Sequence, residues 1–157
     1  MTERGGARRR EGVVLRPARA FDAAPCAAIV NDWIDATPWV PRRRSPGAVA
    51  RHFAQAVFPS HRVTVAEVGG EVAGFLALDR EAAMIDSLYV ATPGRGIGAM
   101  LVRQAQSEMA ALSLWTFAGN RGARRFYARQ GFREGRRSDG DNDEALPDVE
   151  YLWTRAA

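Results

Sequence analysis

Leu88-Tyr89-Val90-Ala91-Thr92-Pro93-Gly94-Arg95-Gly96-Ile97-Gly98-Ala99-Met100-Leu101-Val102 decides the fold. It opens as a strand, because Ile85, Leu88, Tyr89 and Val90 are aliphatic or aromatic. Thr92-Pro93-Gly94 stops that strand. Three glycines then alternate with Arg95 and Ile97, and from Ile97 the apolar residues fall at helical spacing: Ile97, Leu101, Ala105 and Met109, with Met100 beside them. A strand therefore runs through a glycine-rich turn into a helix. Backbone without Cβ atoms lets a ligand come close, and the first amides of a helix have no intrahelical partner. Amides from Arg95 to Ala99 thus form a candidate phosphate site, with the Arg95 guanidinium adding charge. The same pattern alone also fits structural loops. The Rossmann spacing G-x-G-x-x-G fails at Leu101, and no Walker lysine follows, since the chain contains no lysine.

A second stretch is more specific: Asn120-Arg121-Gly122-Ala123-Arg124-Arg125-Phe126-Tyr127-Ala128-Arg129-Gln130-Gly131-Phe132, or N-x-x-A-x-x-F-Y-x-x-x-G-F. Asn120 suits the N-cap of a helix over 120–130, worth about 1 kcal/mol, and Ala123, Phe126, Tyr127 and Gln130 share one face of it. The two motifs, in this order and at this distance, resemble the GNAT acyl-CoA N-acetyltransferases. The resemblance runs from Val13 to Trp153 and is strongest from Leu88 to Phe132.

The resemblance implies an α/β (α+β) domain. Its sheet is mixed and mostly antiparallel, helices cover both faces, and the fourth and fifth strands splay apart to admit acetyl-CoA, the acyl donor. It implies that Leu88, Tyr89 and Val90 run beside the pantetheine arm, that Arg95, Gly96, Ile97, Gly98 and Ala99 receive the pyrophosphate, and that Asn120, Ala123, Phe126 and Tyr127 complete the cofactor site. Tyr127 is its general acid, protonating the departing thiolate. A phenol with a pKa of about 10 is protonated at neutral pH and suits that task. One departure stands out. The family's turn reads Q/R-x-x-G-x-G/A, whereas here Pro93 occupies the Gln/Arg position and the segment from Val90 to Gly96 is two residues short. This implies a tighter loop or weaker cofactor affinity, with Arg95 supplying part of the missing charge.

For the general base the residues offer Asp86 on the fourth strand and Glu67 on the second, directly or through water, and surface carboxylates are the alternative reading of both. In the family the segment between the first two helices walls the acceptor pocket. Here it holds Trp33, Asp35, Trp39 and Arg42. Two tryptophans with a carboxylate suit a cationic amine, Arg42 to Arg44 suit an acidic acceptor, and the tryptophans also fit a core. The expected reaction is direct transfer of an acetyl group to a primary amine of a small molecule or peptide, and a homodimer is compatible with it. A non-catalytic acyl-CoA sensor of the same fold is one rival. A nucleic-acid-binding protein using the arginine tail is another, but no aromatic residues interleave with the basic ones.

Composition sets outer bounds. The 157 residues fit one domain over 13–157, with a basic, glycine-containing tail over 1–12 expected to be disordered. A net charge of +4, carried wholly by arginine, suits a polyanionic cofactor as well as a nucleic acid. No apolar run is long enough to cross a membrane, and no secretory signal is visible. Cys26 is the only cysteine, which suits a cytoplasmic protein, and it is expected to be buried and inert.

Along the chain, Val13–Ala18 reads as a strand. Asp22 is expected to cap a helix with Ala28, Ile29 and Trp33 on its apolar side, and Ser45 to cap a second with Val49, Phe53, Ala56 and Val57 buried. His52 and His61 lack metal-ligand spacing and read as isolated surface or structural residues, so no metal is expected. Two strands flank a Gly69-Gly70 hairpin, with a bulge at Gly74. Further strands cover 82–90, 112–117, 132–136 and 147–154, helix 97–111 lies between the first two, and 138–145 reads as an acidic, flexible link. The order is β-α-α-β-β-β-α-β-α-β-β.

Overall fold

The computed structural model describes residues 12–156, so the expectation for the tail falls almost wholly outside the described residues. The element order is the one expected. It runs β1 (Val13–Pro17), α1 (Ala23–Asp35), α2 (Pro46–His52), β2 (Arg62–Val68), β3 (Glu71–Asp79), β4 (Met84–Val90), α3 (Ile97–Glu108), β5 (Ala111–Phe117), α4 (Arg121–Arg129), β6 (Arg133–Ser138) and β7 (Asp148–Thr154). The strands form one sheet in the order β1-β2-β3-β4-β5-β7-β6. All neighbours are antiparallel except β4 and β5, which are parallel and pair only at Met84 and Ser113.

Strand alternation sorts the apolar side chains into two cores. From β2 and β3, Val63, Val65, Phe75 and Ala77 pack with Cys26, Val30, Val49, Phe53 and Val57 of the first two helical segments. Ala66, Leu76 and Leu78 point the other way, toward Ile97, Leu101, Val102 and Ala105 of α3 and Tyr127 of α4. Burial pushes the Cys26 thiol up to about 12, leaving it a packing residue.

Several local expectations are corrected. The buried alanines of α1 are Ala23 and Ala27, beside Ile29 and Val30, and Ala28 faces solvent. Ser45 does cap α2, its side chain accepting from the Ala48 amide at 3.1 Å. A π-helical stretch, Phe53–Val57, and a last turn, Phe58–Ser60, then extend that helix. The wider π turn keeps Phe53 and Val57 inside but rotates Ala56 outward. The hairpin glycines have φ of 59° and 83°, as a two-residue turn requires. The bulge beside Gly74 leaves Ala73 as the extra residue of β3. At Gly74 itself a Cβ would lie 3.0 Å from the Tyr89 carbonyl, so the absence of a side chain is what lets β4 approach. β4 starts at Met84, because Ala82 and Ala83 form a turn with Ala83 at φ 55°, and α3 ends at Glu108. The acidic link is tied down. Asn142 bonds both the amide and the carbonyl of Leu146, and Arg43 reaches the Glu144 carbonyl.

Asp22 does not cap α1. It ends a 3₁₀ turn, Ala20–Asp22, and is only 1% exposed. Its carboxylate accepts from both terminal nitrogens of Arg16, at 2.8 and 3.0 Å, and from the Arg19 amide at 2.7 Å. Arg16 also pairs with Glu67 at 2.9 Å. The Arg16 hydrogen bonds hold the Asp22 carboxyl below its usual pKa, outweighing burial. Removing one member of such a buried pair typically costs about 3–5 kcal/mol. Asp22→Ala is therefore expected to lower the unfolding free energy measured in urea by an amount in that range, and the urea midpoint with it. Because the folded pKa is depressed, this stabilisation is complete above the ordinary value of 3.8 and is lost as pH falls below it. An Asp22→Ala midpoint equal to wild type at pH 7 would contradict the assignment.

Candidate active site

Where β4 and β5 part, strand edges lose their partners. Beyond Met84, the groups of β4 that face β5 have no strand to bond. A cavity of about 910 Å³ occupies the gap. Its walls include Asp86, Leu88, Tyr89 and Val90 of β4, Asn120 at the start of α4, and Ala123, Phe126 and Tyr127 of α4, with Trp33 of α1 on the opposite side of the sheet. Nine of the residues expected from sequence thus share one space.

The glycine-rich turn sits at its edge. Gly96 is the N-cap of α3 with φ 75°, a conformation other residues rarely adopt. No side chain caps this helix and no acidic residue lies in its first turn, so the first amides stay available until the Met100 amide bonds the Gly96 carbonyl at 3.1 Å. Pro93 reaches the cavity lining, whereas Arg95 to Ala99 lie beyond it. Gly98 has a second role. A Cβ there would come within 3.3 Å of Phe126, so the first motif packs directly on the second.

Asn120 accepts from the Ala123 amide at 3.1 Å and caps α4. Tyr127 is held in a cage of rings, with Phe126 at 5.1 Å, Phe132 at 5.7 Å and Tyr151 at 6.1 Å. Burial raises the Tyr127 phenol well above its usual pKa, and the charge of the Tyr89 phenolate would add to that. The hydroxyl bonds no described residue, yet no buried side-chain polar atom among the described residues lacks a partner, so this hydroxyl opens on the cavity. Tyr89 rests against Phe75 at 5.9 Å and Trp33 at 5.7 Å, and burial pushes its phenol up to about 12.

Asp86 is the extra residue of a bulge in β4, between Ile85 and Ser87, which turns its carboxylate into the cavity. Glu67 is not near it. It is bound to Arg16 on the β1–β2 pair and is absent from the lining. His61 is not isolated, as its Nε2 is hydrogen-bonded to Asp86 Oδ2, with Asp79 beside both. Nothing in the local sequence signals this, since His61 precedes β2 while Asp79 and Asp86 come from β3 and β4.

Trp39, expected to wall an acceptor pocket, is 44% exposed and contacts Trp33 at 6.4 Å and Phe117 at 6.0 Å, at the rim rather than in the lining. Asp35 is drawn away. Its carboxylate is 67% exposed and bonds Arg42 at 2.9 Å. Asp32, one turn earlier, lines the cavity instead. Asp143 and Glu144 of the acidic link line it too, with Arg44 3.9 Å from Asp143. These acidic positions were missed because the link's composition suggests only solvation.

A family model described as the Acetyltransferase (GNAT) family matches residues 27–132. A search of curated proteins returned no match. Among solved structures, the chain is similar to the apo form of YjaB from Escherichia coli, at 23% identity and a TM-score of 0.73, over 92% of this chain and 99% of that one. It is also similar to a GCN5-related N-acetyltransferase structure from Rhodopseudomonas palustris, whose description adds the words aminotransferase, class II. There the identity is 25% and the TM-score 0.72, over 92% and 96% of the two chains. YncA from Salmonella typhimurium, solved with its cofactor acetyl-CoA, aligns at 20% identity and a TM-score of 0.68, over 93% and 97%.

Proposed function

Because the chain belongs to the GNAT acetyltransferase family, we propose that it moves an acetyl group from acetyl-CoA directly to a primary amine of a small molecule or peptide. One observation carries this reading: the carboxylate of Asp86, the unpaired edge of β4 and the hydroxyl of Tyr127 all face one cavity that spans the sheet. The residues fit acetyl-CoA. An uncapped helix start lies beside an open strand edge, and Gly96 holds a backbone conformation that leaves the first amides bare. When bound, acetyl-CoA supplies the acetyl group as a thioester.

The chain's own groups then divide the work. Amides of 95–99 would hold the pyrophosphate, while Leu88 to Val90 and Asn120 would hold the arm that leads inward. A free amide on the unpaired edge of β4 would stabilise charge developing on a thioester oxygen held beside it. Asp86 takes the proton of the incoming ammonium, which the carboxylate of Asp32 helps attract. Tyr127, kept protonated by its burial, gives a proton to the departing sulfur.

Direct transfer leaves no acyl-enzyme, and this chain sharpens the test because it contains no lysine. Its only amine that can be substantially neutral near pH 8 is the N-terminus. Incubation with acetyl-CoA alone, followed by intact-mass spectrometry, is expected to show no adduct except one at Met1, or at Thr2 after methionine removal. A stable acetyl group on Cys26 or Tyr127 would contradict direct transfer.

A further inference from the structure

His61 sits at the end of the helical segment that precedes β2, and its Nε2 bonds Asp86 Oδ2. The other ring nitrogen fixes the proton count. Nδ1 lies 3.2 Å from the Val57 carbonyl and 2.8 Å from Ser60 Oγ. A carbonyl only accepts. The Ser60 hydroxyl commits its own proton to the Ala56 carbonyl at 2.5 Å, so it too accepts from the ring. Nδ1 therefore carries a hydrogen, and the neutral ring aims a bare lone pair from Nε2 at a carboxylate oxygen. Those two groups bond only when one proton is shared between them, so the bonded arrangement is that of the pair loaded with a proton, which it must release to solvent before it can take the next. The carboxylate lines the cavity, whereas the ring stands behind it, outside the lining.

We propose that His61 is the positioning residue through which Asp86 acts as a base, the pair storing the proton taken from the acceptor. This rests on the reading of Asp86 given above. An ammonium N–H bond breaks, and its electron pair stays on the nitrogen. The proton passes to Asp86 and is shared with Nε2. It leaves to solvent from the ring, whose side chain is 14% exposed. Other charged groups surround the ring. Asp79, at the end of β3, lies in the same cluster, with one oxygen accepting from the Ala82 amide at 3.0 Å. His52 faces it from α2, its own pKa lowered first by burial, then by Arg44 and by His61. Arg62 follows it on β2 but is bonded to Glu108 of α3 at 3.0 Å.

His61→Gln separates holding from proton storage, because the amide NH2 of glutamine can donate to the Asp86 carboxylate but cannot carry the stored proton. With acetyl-CoA and an amine taken from an acceptor screen, kcat is expected to fall at least about tenfold in His61→Gln, with the KM for acetyl-CoA unchanged and the acid limb of the pH–rate profile altered. Asp86→Asn should be equally impaired, and the double variant no worse than either. Independently of turnover, the imidazole ¹⁵N spectrum of the free protein at alkaline pH should show His61 protonated on Nδ1, with His52→Gln supplying the assignment. The opposite tautomer, or a His61→Gln variant with wild-type kcat and pH profile, would overturn the proposal. Wild-type activity in Asp86→Asn would instead remove Asp86 as base, and the relay with it. Activity lost to a chelator and restored by a divalent cation would assign the His61, Asp79 and Asp86 cluster to a metal and overturn it as well.

Discussion

Tyr127→Phe is expected to lower turnover by about 10²–10⁴-fold, the usual contribution of a positioned acid. The substitution keeps the ring, and with it the contacts to Phe126, Phe132 and Tyr151. It deletes a hydroxyl that bonds no described residue, so no partner is left unsatisfied and the unfolding midpoint should hardly move. Acetyl-CoA affinity should also survive, which separates this loss from damage to the cofactor site. Because burial raises the Tyr127 pKa, its phenol stays protonated through the alkaline range in which amine acceptors become neutral. Equal turnover in Tyr127→Phe and wild type would return the residue to a packing role.

Gly96→Val is expected to weaken CoA binding by about 10²–10⁴-fold. Amide bonds to a charged phosphate are worth about 1.5–3 kcal/mol each, and losing two of them gives that range. The cause is conformational, because Gly96 has φ 75°, where a β-branched residue is strained. No atom lies within 4 Å of a Cβ built there, so the core is untouched and the fold should persist. Gly70→Ala is the control. It too sits at positive φ in open space, but on the β2–β3 hairpin, and should leave CoA affinity unchanged. Calorimetric titration with CoA distinguishes the outcomes, and an unaltered affinity in folded Gly96→Val would remove the turn from the cofactor site.

Much of this fold is legible in local sequence, because its period is physical. Val63, Val65, Phe75 and Ala77 alternate with Ala66, Leu76 and Leu78 since a strand has two faces and both are covered. The two motifs also belong together for a reason the structure gives, namely that Gly98 must stay bare for Phe126 to pack. The misses share a different cause. Asp22 has the composition of a cap, and only the arrival of Arg16 from β1 turns it into half of an ion pair. Asp35 is likewise claimed by Arg42, leaving Asp32 to face the cavity. His61 and Asp86 meet only because a bulge redirects one strand toward the start of another. Such pairings depend on register, which no single stretch of sequence encodes.

The central claim is acyl transfer to an amine within the cavity between β4 and β5. Its most direct test is a screen of primary amines, amino acids and peptides with acetyl-CoA, following thiol release and product mass together. The account predicts thiol release that depends on an added amine, with one N-acetyl product formed per thiol. Tight acetyl-CoA binding with no product from any amine, or thiol release without an acetylated amine, would contradict it.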